Sequence, residues 1–426
     1  METLCFAIFF GLMALSVPIP ITMITAALVA YVFIAHIPAI AVAQGFAFAV
    51  RSYAMAAILF FVFAGSVMMR GKLATTITNL ANALVGFIPG GLALSGVVAC
   101  GIFGAISGSS TAALAAIGTI MVPALIANKW PANFSIGLMT SAGILAMIIP
   151  PSIPVILYCV PTNISVGALF LSGVLPGIII IIIYSIYLYF KAKDLGIETT
   201  EVPTLKGIFK AIRESIWALG LVIVIFGGIY SGIFTVTESA GIGALYAILV
   251  ELFIFRNVKL RDIPMIAVES AATTGVILFI MGSASVFSQY LTLQLVPMKI
   301  ATWILSISQS KWVFLLLTNI FLLIVGMLVD SVSAILILAP LFLPIYKLYG
   351  MNDLQFGMMF LLNLYIGYMT PPVGYSLFAA VAIFRVPLVE VAKNSFQYVL
   401  MMLIALILVI LFPDLSTWIP KLVYGR

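Results

Sequence analysis

Apolar residues run through this chain in long unbroken stretches, among them Ile178 to Phe190, Leu219 to Ile233 and Gln397 to Phe412 with their flanks. A spanning helix needs about 20 such residues. The pattern lacks the alternating ~10-residue strands of an outer-membrane barrel, so the predicted elements are transmembrane helices. Polar positions fall in clusters. FGAISGSSTAALAAIG, Phe103 to Gly118, interrupts one oily run with Gly108 and the hydroxyls of Ser107, Ser109, Ser110 and Thr111. The one sustained hydrophilic segment is KAKDLGIETTEVPTLKGIFKAIRES, Lys191 to Ser215, near the middle.

That segment divides the chain into halves that match. A shift of 221 positions lays Pro150-Pro151 on Pro371-Pro372, Pro123 on Pro344, Ser110 on Ser331, Ala113 on Ala334 and Gly11 on Gly232 without a gap. The shared order of polar break, proline and Pro-Pro implies an internal repeat. The predicted organisation is a first repeat over 1–190, a cytoplasmic basic linker over 191–213 and a second repeat over 214–426.

Composition and charge narrow the class and orient it. Hydrophobic residues make up 64% of the 426 and charged ones 8%, too few polar groups to cover a soluble fold. With the linker cytoplasmic, Arg70, Lys72, Lys129, the five linker cations, Arg256, Lys259, Arg261, Arg385 and Lys393 fall inside, thirteen of the 19 Lys and Arg. Arg51, Lys299, Lys311, Lys347, Lys421 and Arg426 fall outside, so the positive-inside bias supports this orientation and makes the repeats inverted. Inverted repeats are the build of secondary transporters, whose sites lie where the repeats meet at mid-membrane. The net charge of +6 thus speaks to topology and not to nucleic acid. The opening METLCFAIFFGLMALSVPIP is expected to be a retained first span, with no cation ahead of its apolar run. Cys5, Cys100 and Cys159 have no metal-like spacing and read as small core residues.

The chemistry concentrates at two tips and two breaks. Gly91 to Ala127 starts and ends on the cytoplasmic side, and arms of roughly 16 residues rise about 24 Å, short of a hydrocarbon core of about 30 Å. A re-entrant hairpin over about 91–127 is predicted, with its counterpart over about 312–349 turning near GMLVDSVSA, Gly326 to Ala334. At such a tip backbone carbonyls lose their partners, and Ser or Asp oxygens complete a cage of the kind that hard cations prefer. Packing by small residues is the alternative reading for Ser107 to Thr111. The matching breaks are SAGILAMIIPPSIP, Ser141 to Pro154, and NLYIGYMTPPVG, Asn363 to Gly374, inside helices predicted over about 133–160 and 353–383. Pro-Pro unwinds a helix locally, and a broken helix at depth lines a cavity or is merely kinked. Asp330, whose repeat partner is Ser109, is a carboxylate near mid-membrane and so either a cation ligand, a proton carrier or an acid held by helix ends. Glu238 reads as a helix N-terminal acid, and Glu269, Arg51 and His36 as interfacial.

The runs ISGSSTAALAAIGTIMVP, ILAMIIPPSIPVILY, GIFTVTESAGIGALYA, GMLVDSVSAILILAPLFLP and NLYIGYMTPPVGYSLF resemble, in that order, signature segments of the large membrane subunit of tripartite ATP-independent periplasmic (TRAP) transporters. The likeness covers nearly the whole chain. It implies an all-α polytopic protein of two inverted repeats in a bacterial inner membrane, a scaffold holding a transport domain that moves as an elevator. It implies sodium-driven uptake of an organic acid delivered by an extracytoplasmic binding protein, and a small four-helix membrane subunit as a separate chain. Carried over by the resemblance, one sodium site would draw on Ser107, Gly108, Ser109 and Ser110 with backbone at Gly143 to Met147. The other would use Gly326, Asp330, Ser331, Gly367 and Thr370, with substrate near Ser110, Ser152, Asn363 and Pro371.

Other classes fit less well. AISG, Ala105 to Gly108, is close to the GxSG of rhomboid-like serine proteases, but that chemistry needs a histidine base and the sole histidine, His36, reads as interfacial. GSVMMRGKL, Gly65 to Leu73, misses a phosphate loop in spacing and in its final residue. No enzyme activity is expected. A stand-alone sodium/carboxylate symporter of related fold, or a channel, is the alternative.

Overall fold

The computed structural model describes residues 2–197, 205–307 and 309–425. The 198–204 part of the predicted linker, and Arg426 among the cations placed outside, fall beyond these residues. Every element among the described residues is a helix. Eight are long and apolar enough to cross a membrane, or ten if the bent pairs Ala132–Ile148 with Ile153–Thr162 and Lys206–Glu214 with Ile216–Tyr230 each count once. The chain is therefore a multi-pass membrane protein.

The repeat is visible element by element. Shifted by 221 positions, Gly91–Ser107 falls on Lys311–Leu328 and Ser110–Ala127 on Ser331–Leu348. Ala132–Ala142 and Ile153–Thr162 fall likewise on Asp353–Gly367 and Tyr375–Phe384. Even the π-helical turns Ala30–Ile34 and Val250–Phe255 correspond. Both Pro-Pro bonds are cis. The arms of the tips are 17 and 18 residues long, which is about 26 to 27 Å of helix.

Packing sorts the helices into two groups. Ile263–Leu293 runs along Ile19–Val29, Ile40–Val50 and Tyr53–Arg70, and Val236–Leu249 lies along Tyr53–Arg70, which together build a wall. Small residues permit the close approach: a Cβ on Gly45 would press on Gln289 and Val286, and one on Gly282 would enter the Phe46 ring. In the second group Lys311–Leu328 packs on Asp353–Gly367, which packs on Leu388–Leu411, which in turn covers Ala132–Ala142. Gly91–Ser107 joins this group through Leu145–Ile148, so closely that a Cβ on Gly104 would collide with Ala146.

Acidic side chains satisfy helix N-termini in the wall. Glu238 closes a capping box with Thr235 at the start of Val236–Leu249. Glu251 is fully buried, and its Oε1 accepts the backbone N–H groups of Lys72 and Leu73 at 2.8 and 2.9 Å. It thereby satisfies the N-terminus of Leu73–Val85 from across the wall, where a side chain on Gly71 would strike its carboxylate. Hydrogen bonds to a charged acceptor contribute about 1.5–3 kcal/mol each. Glu251→Ala is therefore expected to lower the thermal unfolding midpoint in detergent more than Glu251→Gln, whose amide oxygen still accepts. A glutamine variant less stable than the alanine one would contradict this account.

Candidate functional site

The two tips are built alike and finished differently. In the first, Gly91–Ser107 ends at Gly108, whose φ of +59° turns the chain back. Ser109 then caps the next helix, its Oγ accepting from the Ala112 N–H at 3.4 Å and lying 3.1 Å from Thr111 Oγ1. In the second, Asp330 stands at the equivalent position and its Oδ1 accepts from the Ser333 N–H at 3.0 Å. Val329, at the counterpart of Gly108, stays extended at φ −120°. The first tip is thus neutral and tightly turned, the second charged and open. Among the described residues no ion pair forms to Asp330, and its second carboxylate oxygen makes no hydrogen bond.

Each tip is held by the broken helix of its own repeat. A Cβ on Gly143 would come within 3.0 Å of the Ser110 carbonyl oxygen, and one on Gly108 would sit at 2.9 and 3.0 Å from Ile153 N and Pro151 O. In the second half Gly326 and Gly367 press backbone to backbone, a Cβ on Gly367 lying 2.7 Å from Gly326 Cα. The N–H groups of Val373 and Gly374, just past Pro372, donate to the Met327 carbonyl at 3.2 and 3.4 Å, so this break closes onto the end of the hairpin arm. Thr370 donates its hydroxyl to Ile366 O at 2.7 Å.

Two residues that the sequence places near a substrate use their polar groups elsewhere in this conformation. Ser152 is fully buried, its hydroxyl donating to Met147 O at 2.6 Å and accepting from Val155 N at 3.4 Å, which bridges the Pro-Pro gap. Asn363 donates to Asn319 O and Oδ1 at 3.0 and 2.7 Å, clamping Asp353–Gly367 to Lys311–Leu328, and its own Oδ1 is buried without a partner among the described residues. Pro371 is exposed.

The tips meet at a cavity of about 470 Å³. Ser107, Gly108, Ser109, Ser110 and Ser331 line it, whereas Gly143, Gly326, Asp330, Gly367, Thr370, Ser152, Asn363 and Pro371 do not. Three helices begin at this space, Ser110–Ala127, Ile153–Thr162 and Ser331–Leu348, so their positive dipole ends converge on it. Ser107 Oγ is buried there with no hydrogen-bond partner among the described residues. The sequence reading missed the far side of the cavity: Tyr368 from the second break, Val62, Ser66 and Met69 from Tyr53–Arg70, and Thr273 and Ile277 from Ile263–Leu293. The signal available was their spacing of three or four residues on each helix.

A second cavity of about 920 Å³ contains Ser52, Pro161 and Leu336, which are the repeat equivalents of Thr273, Ala382 and Ala115 in the first. One cavity takes the Val62-to-Met69 end of Tyr53–Arg70, and the other touches Arg51 and Ser52 just before its opposite end. Equivalent cavities at opposite ends of one helix are what inverted repeats produce. With the basic linker cytoplasmic, as the cation distribution leads one to expect, the smaller cavity would be the inner one. Arg70, next to the lining residue Met69, is paired with Glu269, Nη2 to both carboxylate oxygens at 2.6 Å.

Residues 6–415 match the model of the family described as "Tripartite ATP-independent periplasmic transporter, DctM component". The chain is 37% identical over 369 residues to the C4-dicarboxylate TRAP transporter large permease protein DctM of Pseudomonas aeruginosa, covering 87% of this chain and 86% of that one. It is 32% identical over its full length, and that of its relative, to the ectoine TRAP transporter large permease protein TeaC of Halomonas elongata. In three dimensions it superposes on the Alcanivorax borkumensis YdaH transporter with a TM-score of 0.60 at 14% identity, covering 88% of this chain and 87% of that one, a likeness of fold.

Proposed function

The chain belongs to the DctM-component family of tripartite ATP-independent periplasmic transporters, and from that premise we propose that it drives sodium-coupled uptake of a carboxylate-bearing solute by an elevator movement across a bacterial inner membrane. The observation that carries this reading is one face of Ile263–Leu293. Thr273, Ile277, Met281, Ser285, Ser288 and Thr292 follow one another at three- and four-residue spacing over about 28 Å. The lower two line the inner cavity and the upper four the outer one. A single uncharged track therefore serves both sides of the membrane, and a group sliding along it would meet each cavity in turn.

Ser109, Ser110, Thr111 and Ser331 offer hydroxyls where three helix N-termini converge, a setting that favours an anion without a buried cation. A sodium ion at the first tip would be held by Ser107, Gly108, Ser109 and Ser110 with backbone at Gly143, and the unpartnered Ser107 Oγ supports this. At the second, Gly326, Asp330, Ser331, Gly367 and Thr370 would serve, with the free Asp330 oxygen as the charged ligand. Each sodium entering gains about 2.3 kcal/mol per 100 mV, so two or more offset the charge of a carboxylate and still concentrate it. A small four-helix subunit would brace the wall, and an extracytoplasmic binding protein would deliver the solute.

The test is uptake into proteoliposomes containing this chain and its small subunit, with the binding protein and labelled ligand outside. Uptake is expected only with an inward sodium gradient and the binding protein together. Sodium dependence without need of the binding protein would point to a stand-alone symporter, and indifference to both would overturn the reading in favour of a channel.

A further inference from the structure

The outer cavity is unlike its inner equivalent in charge. Arg51 lines it from the turn before Tyr53–Arg70, exposed, its guanidinium making no hydrogen bond or ion pair among the described residues. No Asp or Glu is among the described residues lining this space, whose other polar groups include Asn163, Ser285, Ser288, Gln289 and Thr292. No Lys or Arg is among the described residues lining the inner cavity, and Arg70, beside its Met69, is neutralised by Glu269. A guanidinium facing a cavity walled by helices and free of carboxylates presents a local positive potential, since low-dielectric walls focus its field. Its planar donors match a carboxylate, and the hydroxyl and amide ladder above Met281 supplies further donors at the same depth.

We infer that Arg51 and the Ser285–Thr292 face form an anion-capture subsite in the outer cavity, a station that takes the solute's carboxylate before the two tips do. This rests on reading the chain as a carrier of carboxylate-bearing solutes. The asymmetry between the two cavities gives the path a direction: anions are drawn in at the outer one and meet no Lys or Arg among the described residues lining the inner one. Arg51 acts here as a specificity residue, and its charge, not its packing, is what matters.

The test uses the whole chain with its small subunit and reads the cavity before it reads transport. The thiolate placed by Ser285→Cys would attack the sulfenyl sulfur of methanethiosulfonate reagents carrying either a sulfonate or a trimethylammonium group, forming the mixed disulfide and releasing methanesulfinate. The native Cys5, Cys100 and Cys159 are buried and give little background. The sulfonate reagent is expected to be preferred about tenfold over its preference at a free small thiol. Arg51→Gln should abolish that preference, Arg51→Lys should keep most of it, and raised salt should shrink it. A ratio unchanged in Arg51→Gln overturns the subsite. In proteoliposomes the same Arg51→Gln change should raise the half-saturating concentration of the delivered anion with little change in maximal rate. If reagent preference follows Arg51 while uptake ignores sodium and the binding protein, the transport reading falls and the anion subsite stands.

Discussion

Replacing Asp330 with asparagine is expected to abolish sodium-driven uptake while leaving the protein folded. The two roles of this side chain are separable because only one oxygen is engaged: Oδ1 caps Ser331–Leu348 through the Ser333 N–H, and the other makes no bond among the described residues. Asparagine caps a helix as well as aspartate does, whereas alanine forfeits about 1 kcal/mol of cap. The thermal midpoint should therefore be unchanged in Asp330→Asn and fall in Asp330→Ala. Charge is another matter. A monovalent cation held at a half-buried tip loses its one formal counter-charge, and removing one partner of a desolvated pair costs at least about 3 kcal/mol, more than a hundredfold in affinity. Sodium activation of uptake should move beyond reach in both variants. Uptake by Asp330→Asn with the parent's sodium dependence would show that the carboxylate only caps the helix, and the coupling ion would have to be sought at the neutral tip around Ser107 instead.

The cap at Asp330 also shows what a sequence can and cannot disclose. The tips and breaks are legible because they depend on local chemistry: Gly108 supplies a left-handed turn, Ser109 and Asp330 are cap residues, and Pro-Pro removes the donors that would continue a helix. The repeat is legible because those markers recur at one spacing. What is not local is hidden. The Gly326–Gly367 contact joins residues 41 positions apart, and neither glycine announces its partner. Ser152 and Asn363 look like free polar groups in the sequence, and only the fold reveals that Met147 O and Asn319 already engage them. The track along Ile263–Leu293 is obscured for a different reason: Thr273, Ser285, Ser288 and Thr292 are ordinary small polar residues of a membrane helix, and their shared direction matters only once both cavities exist. Arg51 falls at a predicted interface, where a cation is ordinary, and only the fold shows a cavity beside it with no acid among its described lining residues.

A disulfide between Gly65→Cys and Ser107→Cys is expected to arrest transport completely and reversibly. Gly65 belongs to the wall and Ser107 to the first tip, and a Cβ built on Gly65 lies 3.0 Å from the Ser107 Cβ. That is tighter than the roughly 3.8 Å preferred across a disulfide, so a small outward shift of the tip accommodates the bond. If the tip carries its cargo by sliding along the wall, fixing this one point of contact holds it at the inner cavity, whatever else in the protein remains free to move. Oxidant should stop uptake and reductant should restore it to the level of Ser107→Cys alone, the control for any loss of the Ser107 hydroxyl at the proposed sodium site. The buried Cys5, Cys100 and Cys159 offer no competing partner at the surface. A fixed-barrier carrier, in which the tips stay put and only thin gates open, makes the opposite prediction: the oxidised protein would keep transporting. Arrest in the oxidised form and recovery in the reduced one would place the movement at the face between the wall and the tip, where Gly65 is the residue whose missing side chain lets Ser107 pass.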